Sequence, residues 1–273
     1  MSSTSQRRRL VVTRPRPTAR TALSVLLIGA FVLAFLGLDT TDDLIHQGGL
    51  QAAARLARSL LAPDLSPEFL VIVLDATLVT VSYAVAGMTV AIVIGIPGAV
   101  IVSGVLVRGR RARAVSSVLS RGTFGFLRAM HELVWALLFL AILGLTPVAG
   151  ILAIGVPYGA TLARVLGEHL QNAPKEVILA LRSSGASRWQ ELVYGRVPVA
   201  SGDIVAYLAY RFECAVRAAA VLSFIGLGGI GYRLNLALHD FRFDRVWPLI
   251  AALVGLIAII DVVSARTRRT LQA

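Results

Sequence analysis

From Leu70 to Val107 the chain runs for 38 residues with Asp75 as its only charge. A lipid bilayer is the solvent that suits such a run. A hydrocarbon core of ~30 Å takes about 20 apolar residues as a helix, because backbone polar groups must be satisfied within the segment. The run is therefore too long for one crossing and barely enough for two. Gly95, Pro97 and Gly98 interrupt it, and proline can kink a membrane helix without ending it. We read one kinked span over 77–103, with 69–76 at the interface. Composition agrees: of 273 residues, 56% are apolar and 15% charged, against roughly 25% charged in soluble domains. This excludes a disordered chain, an ordinary nucleic-acid-binding domain and a disulfide scaffold. The single Cys214 permits no internal disulfide and no cysteine-based metal site.

Further apolar runs cover 21–38, 129–163 (two short spans divided at Thr146-Pro147), 201–224 and 246–265, giving six spans in an all-α polytopic membrane fold. The first also looks like a signal peptide. No clear small-x-small cleavage site follows it, and Asp39, Asp42 and Asp43 come at once, so an uncleaved span is expected.

Charge placement orients the spans. The tail 1–20 carries six arginines, the segment 108–121 five, and the tail 266–273 three, all without an acid. The segment 39–69 has five acids against Arg55 and Arg58. Positive residues stay cytoplasmic, which places both termini and 108–121 inside and 39–69 outside. Splitting the 38-residue run in two would put those five arginines outside. The net charge of +12 is thus explained by topology, with no nucleic-acid partner. Within 49–62, Leu50, Ala53, Ala54, Ala57, Leu60 and Leu61 share one helical face opposite Arg55 and Arg58. Such a helix lies on the outer membrane surface or forms a solvated loop.

Several motifs lead nowhere. Gly226, Gly228 and Gly231 fit a dinucleotide fingerprint, but that needs a preceding strand, and the run before it is long enough to cross a membrane. We read Gly226, Gly228, Gly229 and Gly231 as a sharp turn or close helix approach at the outer end of the fifth span. The only lysine, Lys175, follows Pro174, so there is no phosphate-binding P-loop. His46, His131, His169 and His239 lack metal-ligand spacing, and no catalytic set assembles.

The informative polar segment is 168–198. Val177, Ile178, Ala180 and Leu181 form one face of a short helix, and Gly185 sits where a left-handed residue would end it. Ser187 and Gln190 form a capping box that starts a second helix, and Pro198 closes the unit before the fifth span. The result is a cytoplasmic protrusion presenting Arg182, Arg188 and Trp189, either docking on another protein or lying as a plain interfacial loop.

Ala180-Leu-Arg182-Ser-Ser-Gly185-Ala186-Ser187-Arg188-Trp189-Gln190, continuing to Val197-Pro198, resembles the coupling loop of ABC-importer permeases. That family's pattern is Glu-Ala-Ala, three residues, Gly, nine residues, Ile-x-Leu-Pro. Here Leu179, Ala180 and Leu181 stand at Glu-Ala-Ala and Gly195 at the Ile, so the leading Glu is missing. Tyr210 to Arg217, Val221 to Gly226 and Leu127 to Ala136 are similar to the phosphonate-type subfamily. Together with the amphipathic segment before Pro63, the resemblance covers about 49–263. It implies a type I importer permease fold in a bacterial plasma membrane. It also implies a second permease subunit (identical or paralogous), an extracytoplasmic binding protein, and a cytoplasmic ATPase dimer that holds ATP and Mg, leaving this chain no cofactor of its own. The implied cargo is phosphonate, phosphite or a related oxyanion.

Ionisable residues inside spans are costly unless they face a partner or a cavity. Glu213 and Arg217 are four apart and expected to pair. Arg211 lies on another side of that helix, so Glu132 is its expected partner, with Arg128 competing. The group either fixes helix registry or lines a positively biased path for an oxyanion, where guanidinium geometry suits the cargo.

Overall fold

The computed structural model describes residues 17–37 and 49–272, and every regular element among them is helical. The chain divides after Ala54 into two units. The first holds α1 (Pro17–Leu36), whose apolar part runs from Thr21 to Leu36; the predicted end of that span at Leu38 lies outside the described residues. α2 (Gly49–Ser59) forms where the amphipathic pattern placed a helix. Its C-terminal turn, from Arg55 on, belongs to the second unit, where the Trp247 Nε1–H donates to the Leu56 carbonyl at 2.9 Å and Ser59 Oγ to that of Phe243 at 3.0 Å. Ala57, Leu60 and Leu61 of the predicted apolar face point away from the bundle.

The long apolar run is one continuous helix, α3 (Pro67–Ser103), with Pro97 inside it. The single-span reading holds, but 69–76 is not a separate interfacial segment. Phe69, Val73 and Ala76 are buried in a cluster with Ile230, Ala237, Val246 and Leu249, so packing carries the helix through them.

α3 lies along α6 (Pro147–Gln171) in the most extensive helix pair of the molecule. Small residues permit the approach. A Cβ on Gly95 would lie 2.6 Å from Leu162 Cβ, and one on Gly159 would lie 2.8 Å from Ile94 Cβ. In lipid, where burying apolar surface drives little association, such close packing is what joins helices.

The third predicted span differs from its expected form. Arg108 to Arg121 is not a plain loop: α4 (Arg110–Ala129) is a 20-residue helix, followed by α5 (Glu132–Leu143) at 87°. Extended backbone at Met130 and His131 makes the elbow. His131 Nδ1 caps α5 by accepting the Leu133 N–H, while the Trp135 indole donates back to Leu127 at 3.0 Å. α5 alone, at 12 residues, is too short to cross ~30 Å of hydrocarbon.

α7 (Lys175–Ser183), α8 (Arg188–Gln190), a π-helical stretch (Glu191–Arg196) and α9 (Val197–Leu222) follow. A short 3₁₀ turn and the glycine cluster lead to α10 (Ile230–His239), which sequence reading did not anticipate, and α11 (Phe243–Gln272) ends the fold. Among the described residues, four segments are long and apolar enough to cross a membrane, or five if α4 and α5 count as one bent span.

Candidate functional site

The hairpin before α9 is built largely as its sequence dictates. Gly185 adopts φ +79°, its N–H donates to the Arg182 carbonyl, and the Ala186 N–H donates to that of Leu181, both at 3.0 Å. This paired pattern is the glycine-terminated helix end that satisfies orphan carbonyls. Ser187 Oγ accepts the Gln190 N–H, and Gln190 Oε1 accepts the Ser187 N–H at 2.8 Å, completing the capping box. Ile178 is buried, and Val177, Ile178 and Leu181 close over Gly195, where a Cβ would meet Leu181 Cδ1 at 2.7 Å. Glycine in place of the family's Ile therefore lets α7 settle onto the π-helical stretch.

Pro198 does not close the unit, contrary to expectation. It occupies the first turn of α9, where its missing N–H costs little, and α8, the π-helical stretch and α9 follow one another without interruption. The hairpin and α9 thereby form one continuous helical path.

Two arginines of the hairpin converge on one carboxylate. Arg182 donates to buried Glu191 through Nε at 3.0 Å and Nη2 at 3.1 Å. Arg196 donates to the same carboxylate at 2.7 and 3.1 Å and to the Leu170 carbonyl at 2.7 Å. Burial alone would raise the Glu191 carboxyl, but the two guanidiniums outweigh it and hold the pKa below the ordinary value. Arg188 reaches the carbonyl of Val107, binding the hairpin to the α3–α4 connection. Three large apolar side chains also face outward, Leu179, Trp189 and Tyr194, at 61%, 59% and 69% exposed, among exposed polar groups such as Lys175, Glu176 and Gln190. The Ala180 backbone carbonyl accepts the hydroxyls of Ser183 and Ser184, both at 3.0 Å.

Space around Gly185 is open, so a substitution there acts through backbone strain. A left-handed non-glycine residue costs ~1–2 kcal/mol, least for Asn. Gly185→Val is expected to lower the unfolding temperature of the purified protein, and Gly185→Asn to lower it less.

The charges along α9 separate into two groups. Glu213 and Arg217 pair as expected, and Arg217 Nη2 also reaches Asp261 of α11 at 3.3 Å, with Arg268 4.0 Å from Glu213. These contacts register α9 against α11. Arg211 does not pair with Glu132, and Arg128 does not either: no ion pair joins them among the described residues. The Arg211 guanidinium instead lies 4.0 Å over the Tyr158 ring, a cation–π contact. Its Nε is buried without a hydrogen bond. Tyr158 is fixed in turn by donating to the Cys214 carbonyl at 3.3 Å. Arg211, Arg128, Glu132, His131, Tyr158 and Thr161 line one pocket of about 290 Å³. The expected partners thus share a cavity without touching, because the elbow at 130–131 swings Glu132 to its rim.

The glycine cluster makes the predicted turn. Gly226, Gly228 and Gly229 have φ +103°, +84° and +90°. Gly231 permits close approach: its N–H donates to Ser223 Oγ at 2.9 Å, beside the Ile230 N–H donating to Thr80 Oγ1 at 3.0 Å. No group of His, Cys, Asp and Glu suited to a metal occurs among the described residues.

Long apolar helices joined through small residues, with a helix–glycine–helix hairpin leading into a span and guanidiniums held at its middle, define a multi-pass membrane transport subunit. Residues 91–271 match the model of the binding-protein-dependent transport system inner membrane component, and the chain belongs to that family. It is 33% identical over 152 residues to a protein named as a phosphite transport system permease, HtxE of Stutzerimonas stutzeri, covering 56% of this chain but 58% of that relative's length. It is 24% identical over 248 residues to the phosphite transport system permease protein PtxC of the same organism, covering 89% and 86%. The fold is that of an inward-facing MetNI methionine ABC transporter chain, with TM-score 0.67 at 19% identity over 76% of this chain and 99% of that one. The resemblance to phosphonate-type permeases is borne out, as is placement in the inner membrane.

Proposed function

We propose that this chain is the membrane-crossing subunit of an ATP-driven importer for a phosphorus oxyanion such as phosphite, phosphonate or phosphate. The observation that carries it is the hairpin: capped at both helices, clamped on Glu191 and continuous with α9. A separate ATPase dimer grips its outer face, at Leu179, Trp189 and Tyr194, and closure on ATP turns α9 with it. A second permease copy completes the path, and an extracytoplasmic binding protein delivers the cargo. The chain crosses the membrane six times, counting α1 and the bent α4–α5 pair, with both termini cytoplasmic. The names and functions of the phosphite relatives support the cargo class.

Within the membrane, Arg211 is the residue that meets the cargo in transit. Its guanidinium keeps unused donor capacity toward a polar pocket, and planar donor forks match tetrahedral oxyanions. Proteoliposomes holding the chain with its ATPase and binding protein are expected to take up radiolabelled phosphate or phosphite on ATP addition. The chain alone should take up none; uptake without ATPase would instead identify an autonomous transporter. Arg211→Gln should reduce uptake at least about tenfold, the loss of one charge-assisted contact, while ATPase capture stays unchanged. Equal uptake by the variant would remove Arg211 from the path.

A further inference from the structure

A second basic cavity lies at the hairpin, apart from the mid-span pocket and beside the Glu191 clamp. Its volume is about 340 Å³, and its walls include Arg113 and Arg121 of α4, Arg182 and Arg196 of the hairpin, and Glu191. Four guanidiniums therefore face one carboxylate. The floor is the end of α3, Val102 to Val105, whose helix-terminal carbonyls contribute about half a negative charge. A clear positive excess remains. Arg182 and Arg196 are held by Glu191, but Arg113 and Arg121 take part in no ion pair among the described residues. Two uncommitted guanidiniums on one element thus share a cavity of about 340 Å³ with two fixed ones on another.

We propose that this cavity binds a phosphoryl-class oxyanion, and that occupancy ties the coupling hairpin to α4. Guanidinium forks suit such an anion on two sides at once. An anion held there would restrain the segment that must move during the transport cycle, making the hairpin responsive to oxyanion on its own side of the membrane. The same chemistry is carried by free phosphate and by the headgroup of an anionic lipid. The site stands on these four arginines and does not require the cargo reading.

The test uses the full chain in nanodiscs, in an Arg211→Gln background so that the mid-span pocket does not contribute. In zwitterionic lipid, inorganic phosphate is expected to titrate one saturable site by calorimetry and to slow amide exchange across 184–190. Arg113→Gln with Arg121→Gln should weaken that binding about tenfold or more without changing the unfolding temperature of the phosphate-free protein. Arg110→Gln, on the same helix but outside the cavity, should leave it unchanged. If phosphate does not titrate but phosphatidylglycerol raises the unfolding temperature of the parent and not of the double variant, a lipid headgroup is the anion. Failure of both probes, or equal binding by the double variant, overturns the site. Loss of uptake by Arg211→Gln with phosphate binding intact would separate this site from the transport reading.

Discussion

Replacing Glu191 with alanine is expected to abolish ATP-coupled uptake while the apolar helices still insert. The carboxylate is 2% exposed and receives Arg182 and Arg196 together. Arg196 is itself only 12% exposed, so losing its partner strands a largely buried cation, and breaking such a pair costs ~3–5 kcal/mol. Arg182 is 57% exposed, and solvent screening makes its share small. The penalty falls on the hairpin, whose own local bonds cannot offset it. Limited proteolysis should then cut within 184–190, and ATPase should no longer co-purify. Glu191→Gln keeps an acceptor and should fall between. An alanine variant that captures ATPase like the parent would show that something other than this clamp holds the hairpin. The wild type gives a further check in pH. The folded carboxyl titrates below its ordinary value, so its stabilisation is complete above that value and is lost only as pH falls through the lowered one. ATPase capture should therefore stay flat from neutral pH down to about 5, above the ordinary glutamate range.

Glu191 also marks where sequence reading runs out. Local signals were legible: Gly185 as a helix end, Ser187 with Gln190 as a capping box, and 77–103 as one helical stretch all take the predicted form, though the helix begins earlier, at Pro67. Each depends on residues within a few positions of one another. The clamp does not. Arg196 is five residues after Glu191, a spacing that points to different faces of an α-helix. The π-helical stretch spanning those two residues brings them together, and nothing in composition announces it. Arg182 meets the same carboxylate only because the chain reverses at Gly185. The Arg211–Glu132 pairing failed for a related reason. Nothing in the sequence announced the bend between α4 and α5, which is set by two residues of extended backbone, Met130 and His131. The charges whose partners lie one helical turn away, Glu213 and Arg217, were placed correctly.

Among the four glycines after the fifth span, Gly231→Ala is expected to be the most damaging. Sequence reading grouped them as one turn, yet the structure needs each for a different reason. At Gly228 the cost is conformational: φ is +84°, but an added Cβ would meet only Val79 Cγ1 at 3.7 Å. Alanine there should cost ~1–2 kcal/mol, the penalty of left-handed backbone. Gly229 combines φ +90° with a Cβ position 2.7 Å from Thr80 Oγ1, a buried hydroxyl held between the Ile230 N–H and the Ala76 carbonyl. Gly231 has no positive φ, and a Cβ there would lie 2.2 Å from the Ala220 carbonyl oxygen, 2.5 Å from Ser223 Oγ and 2.8 Å from Phe224 Cδ2. The first of these is backbone within α9 and cannot rotate away. Overpacking a tight interface costs ~1–3 kcal/mol and occasionally more; contact with rigid backbone puts Gly231→Ala at or beyond the upper end. Moving α10 outward to relieve it would also break the Ser223 bond to the Gly231 N–H and disturb the Thr80 bond to Ile230. Thermal unfolding in detergent should show a large downward shift for Gly231→Ala and a small one for Gly228→Ala. The reverse order would mean that the left-handed turn, and not the close packing of α10 on α9, holds this end of the fold.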